Sequence, residues 1–220
     1  MTHISVELHC HTCYSSDSIL RPKDLLAAAR RRGLDRVAIT DHNTIEGAQE
    51  AARLDPERVI IGEEILTSKG ELLGYFLQDS IPAQLEPEET IRRLRDQSAV
   101  ISVSHPFDPH RKGAWQPDDL REILPLIDAL EVFNARMFTM AGNDKAADWA
   151  ERQGLLATAG SDAHAAAELG RVTMRLPEFD GPQAFLNSLA QAEINGQLSS
   201  PFVHFYSRWA VWRKKRGWQP

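Results

Sequence analysis

The chain has 220 residues, 42% of them hydrophobic and 25% charged, with a formal net charge of -6. That suffices for one domain with a substantial core, in proportions ordinary for a soluble globular protein. The acidic balance argues against a surface that coats nucleic acid, and the absence of a basic-then-apolar leader or a long apolar run predicts a cytoplasmic protein.

Residues 4–8 are an apolar run that reads as a strand and leads into Glu7-Leu8-His9-Cys10-His11. Alternate side chains of a strand share a face. His9 and His11 therefore converge where the strand ends, which is half of a metal site, and Cys10 faces the other way. Cys10 and Cys13 spell C-x-x-C. A zinc ribbon needs a second such pair, and two cysteines make no disulfide framework, so Cys13 is expected at the pocket edge rather than in a redox pair.

Pro22 suits a first helical position, Leu25, Leu26 and Ala29 give that helix an apolar face, and Gly33 stops it. A second strand over residues 36–40 ends in Asp41-His42-Asn43-Thr44, and residues 44–53 read as a helix. A strand over 58–62 runs into Glu63-Glu64, and a turn at Lys69-Gly70 leads to a strand over 71–77, so these two pair as a hairpin. A helix is expected over 87–97, a strand over 100–103 ending in Ser104-His105-Pro106, and a short helix over 118–124. A strand over 129–133 ends in Asn134, a helix over 141–153 stops at Gly154, and residues 155–158 are expected to be the last buried strand, followed by Gly160-Ser161-Asp162-Ala163-His164.

Phe205, Trp209 and Trp212 share one helical stripe in a tail that also carries Arg208, Arg213, Lys214, Lys215 and Arg216. The expectation is a final helix that packs its aromatic face on the body and sheds charge into solvent. The alternative is an interfacial segment over residues 202–218 that meets anionic lipid, RNA or another partner.

Strand-then-helix alternation predicts an α/β fold with a largely parallel sheet or barrel. The chemistry-bearing residues fall at the carboxyl ends of its strands: His9 and His11, Asp41 and His42, Glu63 and Glu64, His105, Glu131 and Asn134, Asp162 and His164. In α/β sheets and barrels that edge binds ligands. Five of the eight histidines lie there, and imidazole mixed with carboxylate points to a metal cluster. His3 and His204 lie apart from this pattern, and His110 is at best a substrate contact. No phosphate-binding P-loop or nucleophile elbow is present.

The set His9-Cys-His11 with Asp17, Thr40-Asp-His42, Gly62-Glu-Glu64, Ser104-His-Pro106 and Gly160-Ser-Asp-Ala-His164 resembles the PHP (polymerase and histidinol phosphatase) family, in the family's order. The stretch from Glu168-Leu-Gly-Arg171 onward resembles that family's associated C-terminal region. The resemblance implies a distorted (β/α)7 barrel with a short C-terminal helical extension, divided into a PHP domain over 1–165 and a region over 166–220 that completes the barrel. It implies two or three divalent metals and hydrolysis of phosphate esters. A first metal would use His9, His11, Glu64 and Asp162. Glu64 would bridge to a second that also uses His105, and a third would use Asp17, His42 and His164. Glu63 points to the opposite face by alternation. Where many members carry a histidine, this chain has Glu71, whose register faces the same end as Glu64. Its carboxylate is expected to ligate and to favour a harder ion.

Mixed imidazole and carboxylate ligation suits Mn2+, Zn2+ or Fe2+. Clustered divalent ions lower the pKa of water toward ~7 and neutralise phosphoryl oxygens, so a metal-bridging hydroxide is the expected nucleophile. The leaving oxygen would take its proton from His164, a metal-bound water or His42. Arg136 is the first candidate to clamp the phosphate, then Arg111 and Arg171. Asn134 is a candidate to orient a ligand or the substrate, and Glu131 to hold a histidine N–H. The expected substrate is a small phosphorylated metabolite or nucleotide, with no stable nucleic-acid complex. The competing readings are a nucleotidase or short-oligonucleotide 3′/5′ exonuclease, and a non-catalytic metal-binding scaffold docked by its basic tail.

Overall fold

The computed structural model describes residues 2–111 and 113–219. Nine strands form one sheet in the order β7-β6-β5-β4-β3-β2-β1-β8-β9. They are β1 (His3–Cys10), β2 (Arg36–Ile39), β3 (Val59–Leu66), β4 (Glu71–Tyr75), β5 (Val100–Val103), β6 (Ala129–Asn134), β7 (Leu156–Gly160), β8 (Val172–Pro177) and β9 (Glu193–Gly196). Seven helices accompany them: α1 (Pro22–Arg31), α2 (Glu46–Leu54), α3 (Pro87–Asp96), α4 (Pro117–Ile123), α5 (Met140–Gln153), α6 (Gly181–Leu189) and α7 (Val203–Lys215).

The sheet curls into a nearly closed barrel. β1–β2–β3 and β5–β6–β7 pair in parallel, and β4 runs antiparallel between them. Past the far edge, the amide of His11 donates to Ala163 O at 2.8 Å, so the end of β1 meets the loop leaving β7. Gly160 permits that seam: a Cβ there would stand 2.3 Å from the His9 Cβ, far inside contact distance.

Local chemistry explains most boundaries. Proline opens α1, α3 and α4, where its missing N–H costs nothing. Gly33 and Gly154 leave α1 and α5 in the left-handed conformation. The apolar faces of α1 and α2 bury Leu25, Leu26, Ala29, Ala48 and Ala51 against Val37 and Ile39 of β2. Those of α3, α4 and α5 bury Ile91, Leu94, Leu120 and Ala146 against Ile101, Val103 and Leu130. β3 is longer than expected. Its first half pairs with β2 and its second half with β4, so Glu63 and Glu64 lie within the strand rather than after it.

Two expectations are corrected. Residues 155–158 are not the last buried strand: β8 follows and pairs antiparallel with His3–Val6 of β1. Its alternation was readable, since Val172, Met174 and Leu176 are buried while Thr173 and Arg175 are not. The second correction concerns α7, whose aromatic stripe does not pack on the body. Its inward stripe is Val203, Ser207, Ala210 and Lys214, spaced four, three and four residues apart. Polar contacts fix that orientation. Arg136 Nη2 donates to Val203 O at 3.1 Å and Ser207 Oγ at 2.9 Å, and Lys214 Nζ donates to the carbonyls of Cys13 and Ser15. Phe205, Trp209 and Trp212 are thereby turned outward.

Candidate metal centre

One rim of the barrel gathers nine predicted ligands into one largely buried cluster. His9 and His11 end β1 with ring centroids 5.1 Å apart, as alternation requires. Glu64 sits between the imidazoles. Its Oε2 lies 3.3 Å from His9 Nε2, 3.4 Å from His11 Nε2 and 3.0 Å from His42 Nδ1, and its Oε1 lies 2.8 Å from His105 Nε2. Asp162 Oδ1 is 3.2 Å from His11 Nε2 and 3.8 Å from His9 Nε2. Asp17 closes the outer side, 3.0 Å from His164 Nε2 and 3.6 Å from His42 Nε2. Glu71 Oε2 is 3.6 Å from His105 Nε2.

His105 and Asp162 are held at positive φ, +26° and +52°. Such backbone costs energy in a non-glycine residue and persists only where its surroundings enforce it. The enforcing contact on His105 is Glu131, whose Oε2 accepts the His105 amide at 2.7 Å. The same carboxylate accepts the Asn134 amide at 3.1 Å and faces His9 Nδ1 at 2.9 Å. It thus holds a histidine as expected, with Nδ1 protonated and Nε2 aimed at the cluster. Ser15 does the same for His11, 3.1 Å from its Nδ1, while donating to Asp41 at 2.7 Å and accepting the His42 amide at 3.0 Å. Glu7, invisible as a functional residue in the sequence, accepts the Ser161 amide at 2.8 Å and the Gly170 amide at 3.1 Å, steadying the loop that carries Asp162. Burial pushes the Glu7 carboxyl up to about 7, against the pull of those hydrogen bonds.

The electrostatics are those of a site built for cations. Burial opposes ionisation of Glu64 and Asp162. Even so, the facing imidazoles hold Glu64, and Arg111 with His9 holds Asp162, well below the usual carboxylate range. Burial, then the neighbouring His164 and His42, pushes His11 well below its ordinary value, so it stays a neutral donor. Burial and the nearby Glu64 raise Glu71.

Donor chemistry fits divalent metal. His9 Nε2, His11 Nε2, Asp17 Oδ1, Glu64 Oε2 and Asp162 Oδ1 are buried with no hydrogen-bond partner among the described residues. Unpaired buried atoms of this kind are costly unless a ligand satisfies them. Among the described residues, four overlapping triads bring ligand atoms within 4.8 Å of one another: His11/His42/His164, His9/His11/Glu64, His9/His105/Asp162 and His42/Glu64/Glu71. Glu63 points away, its Oε2 accepting the Ile81 amide at 2.9 Å. Cys10 also faces away, into the layer beneath α1, and both cysteines are free.

Beside the cluster lies a cavity of about 530 Å3 lined by Asp17, Arg111, Arg136, His164, His204 and Arg208, among others. Arg111 and Arg136 therefore reach the site. Arg171 and Cys13 are not among the lining residues. Asn134 sits behind the cluster and is fully buried, its side-chain amide donating to Glu131 and to Asp162 Oδ2 at 3.2 Å, and it does not line the cavity. His204, Ser207 and Arg208 were missed, because only the return of α7 across the barrel mouth brings them there.

A barrel that gathers imidazoles and carboxylates at one rim, next to an arginine-lined cavity, defines a protein whose side chains could hold metal ions. A family profile described as "PHP domain" matches residues 7–92, and one described as "PHP-associated" matches 141–194. Two uncharacterised proteins of Methanocaldococcus jannaschii are similar. One is 39% identical over 146 residues, covering 60% of this chain and 82% of its own length. The other is 35% identical over 196 residues, covering 84% and 79%. The fold is also that of a two-domain Bacteroides vulgatus protein described as containing a predicted PHP-like metal-dependent phosphoesterase. The TM-score is 0.73 at 18% identity, with 89% of this chain and 65% of that one covered. The chain belongs to the PHP family.

Proposed function

We propose that the protein is a metal-dependent hydrolase of phosphate monoesters. The observation that carries this reading is the convergence of five buried, unpartnered nitrogen and oxygen atoms beside a cavity lined by three arginines. Divalent ions held by His9, His11, Glu64, Glu71, His105 and Asp162, with Asp17, His42 and His164 for a third, would supply an acidic water and charge neutralisation.

The chain's own residues do the rest. Arg111 and Arg208 line the cavity beside Arg136, three cations suited to the non-bridging oxygens of a phosphate. Arg136 is held in place by Val203 O and Ser207 Oγ, so its position costs little to fix on binding. With two ions bound, His164 is the imidazole placed to protonate the leaving oxygen. Its Nδ1 lies 2.8 Å from Asp162 O, leaving Nε2 against Asp17 at 3.0 Å on the cavity wall.

One observation favours a nucleoside-bearing substrate as a second reading. A neighbouring cavity of about 680 Å3 shares Asp108, His110, Arg111 and Phe138 with the first, and adds Phe107, Trp115, Met137 and Lys145. Apolar walls with a few cations suit a bulky leaving group such as a nucleoside.

The test is a screen of phosphate monoesters, including nucleoside monophosphates, and of dinucleotide phosphodiesters, on protein stripped with chelator and reloaded with Mn2+, Zn2+ or Fe2+. Turnover that depends on metal and falls at least about 100-fold in Asp162→Asn and His42→Ala supports the enzyme. Tight metal binding with no hydrolysis of any ester would establish the scaffold instead.

A further inference from the structure

The structure assigns a second role to α7: we propose that its outward face docks the protein on an anionic lipid surface. Four large aromatic side chains stand in solvent there. Phe202 is 76% exposed, Phe205 63%, Trp209 41% and Trp212 47%. Single exposed apolar residues are ordinary, whereas a contiguous group marks an interaction surface. Phe205, Trp209 and Trp212 follow a spacing of four and three residues and so occupy one side of a helix that is roughly 20 Å long at 1.5 Å per residue. The outward stripe is a consequence of how the helix is held, because its opposite side is pinned by Arg136 and by Lys214.

Charge identifies the occupant. Arg208, Arg213, Lys215 and Arg216 accompany the aromatic residues, and no acidic residue follows Glu193, in a chain whose net charge is -6. A face with Trp and Phe at its centre and Lys and Arg around it matches the two components of interfacial binding: insertion of aromatic rings at the headgroup level and attraction to anionic headgroups. A second copy placing the same face against this one would oppose like charges. A single-stranded nucleic acid would need free ring faces for base stacking. Here the guanidinium of Arg216 lies over Trp212 at 4.3 Å and that of Arg213 over Trp209 at 5.2 Å, so one face of each ring already carries a cation. No helix among the described residues is long and apolar enough to cross a membrane, so contact of this kind is peripheral and reversible.

The experiment is sedimentation of the full chain with phosphatidylcholine vesicles that contain or lack phosphatidylglycerol, with tryptophan emission recorded in parallel. The expected result is binding to the phosphatidylglycerol vesicles, weak binding to phosphatidylcholine alone, a blue shift on binding, and loss of binding as salt rises. F205A/W209A/W212A and R213E/K215E/R216E should each lower partitioning at least about tenfold, with metal content, thermal unfolding and hydrolysis of a soluble phosphomonoester unchanged. Absence of binding to phosphatidylglycerol vesicles overturns the proposal. So does binding that survives both triple variants, which would locate the contact elsewhere, or a single-stranded RNA that binds the face while vesicles do not.

Discussion

Glu131→Gln tests the centre most directly, because it changes one charge and almost no volume. Glu131 is buried and serves three donors: His9 Nδ1 at 2.9 Å, the His105 amide at 2.7 Å and the Asn134 amide at 3.1 Å. A glutamine offers one oxygen and one NH2 group in place of two oxygens. If its oxygen kept His9, its NH2 would face two donors at His105 and Asn134. The better arrangement gives the oxygen to those two and turns the NH2 toward His9. Nδ1 must then accept, the ring proton moves to Nε2, and His9 can no longer ligate without flipping its tautomer. Loss of a charged hydrogen bond of this kind costs about 1.5–3 kcal/mol, which matches the 10–100-fold loss of metal affinity typical of such ligand-orienting contacts. Competition with a fluorescent chelator would measure it, and turnover should recover in part when metal is raised to saturation. A folded variant with metal affinity within about threefold of the parent would refute the account.

Two further outcomes follow from the structure. Glu71→His should shift the preference of the centre from Mn2+ toward Zn2+, since imidazole is the softer donor; an unchanged metal ratio after dialysis against both ions would mean that Glu71 does not ligate. Glu63 faces away from the cluster, and burial pushes its carboxyl from 4.5 up to about 7. The fold therefore binds this proton more tightly than the unfolded chain does, and the associated stability falls as pH rises from about 4.5 to about 7. Glu63→Gln should accordingly be more stable than the parent at pH 8, by up to about 3 kcal/mol at 1.36 kcal/mol per pKa unit, with the gap closing toward pH 4.5. Urea unfolding at the two pH values would read this, and a gap independent of pH would contradict it.

The sequence by itself determined β1 to β7 and most of the helices between them, and with them which side chains share the rim of the barrel. Period-two alternation places His9 and His11 on one side and Cys10 and Glu63 on the other, whatever the rest of the chain does. Proline and glycine mark helix ends for equally local reasons. The tertiary structure alone decided what depends on distant partners. Glu131 meets His9 across 122 residues and Glu7 meets Ser161 across 154, pairings that no local period encodes. The outward turn of α7 was hidden for the same reason: its aromatic spacing defines a face, but Arg136, 71 residues before Ser207, decides which way that face looks. Local pattern fixes which side chains travel together, and only the closed barrel fixes what they travel toward.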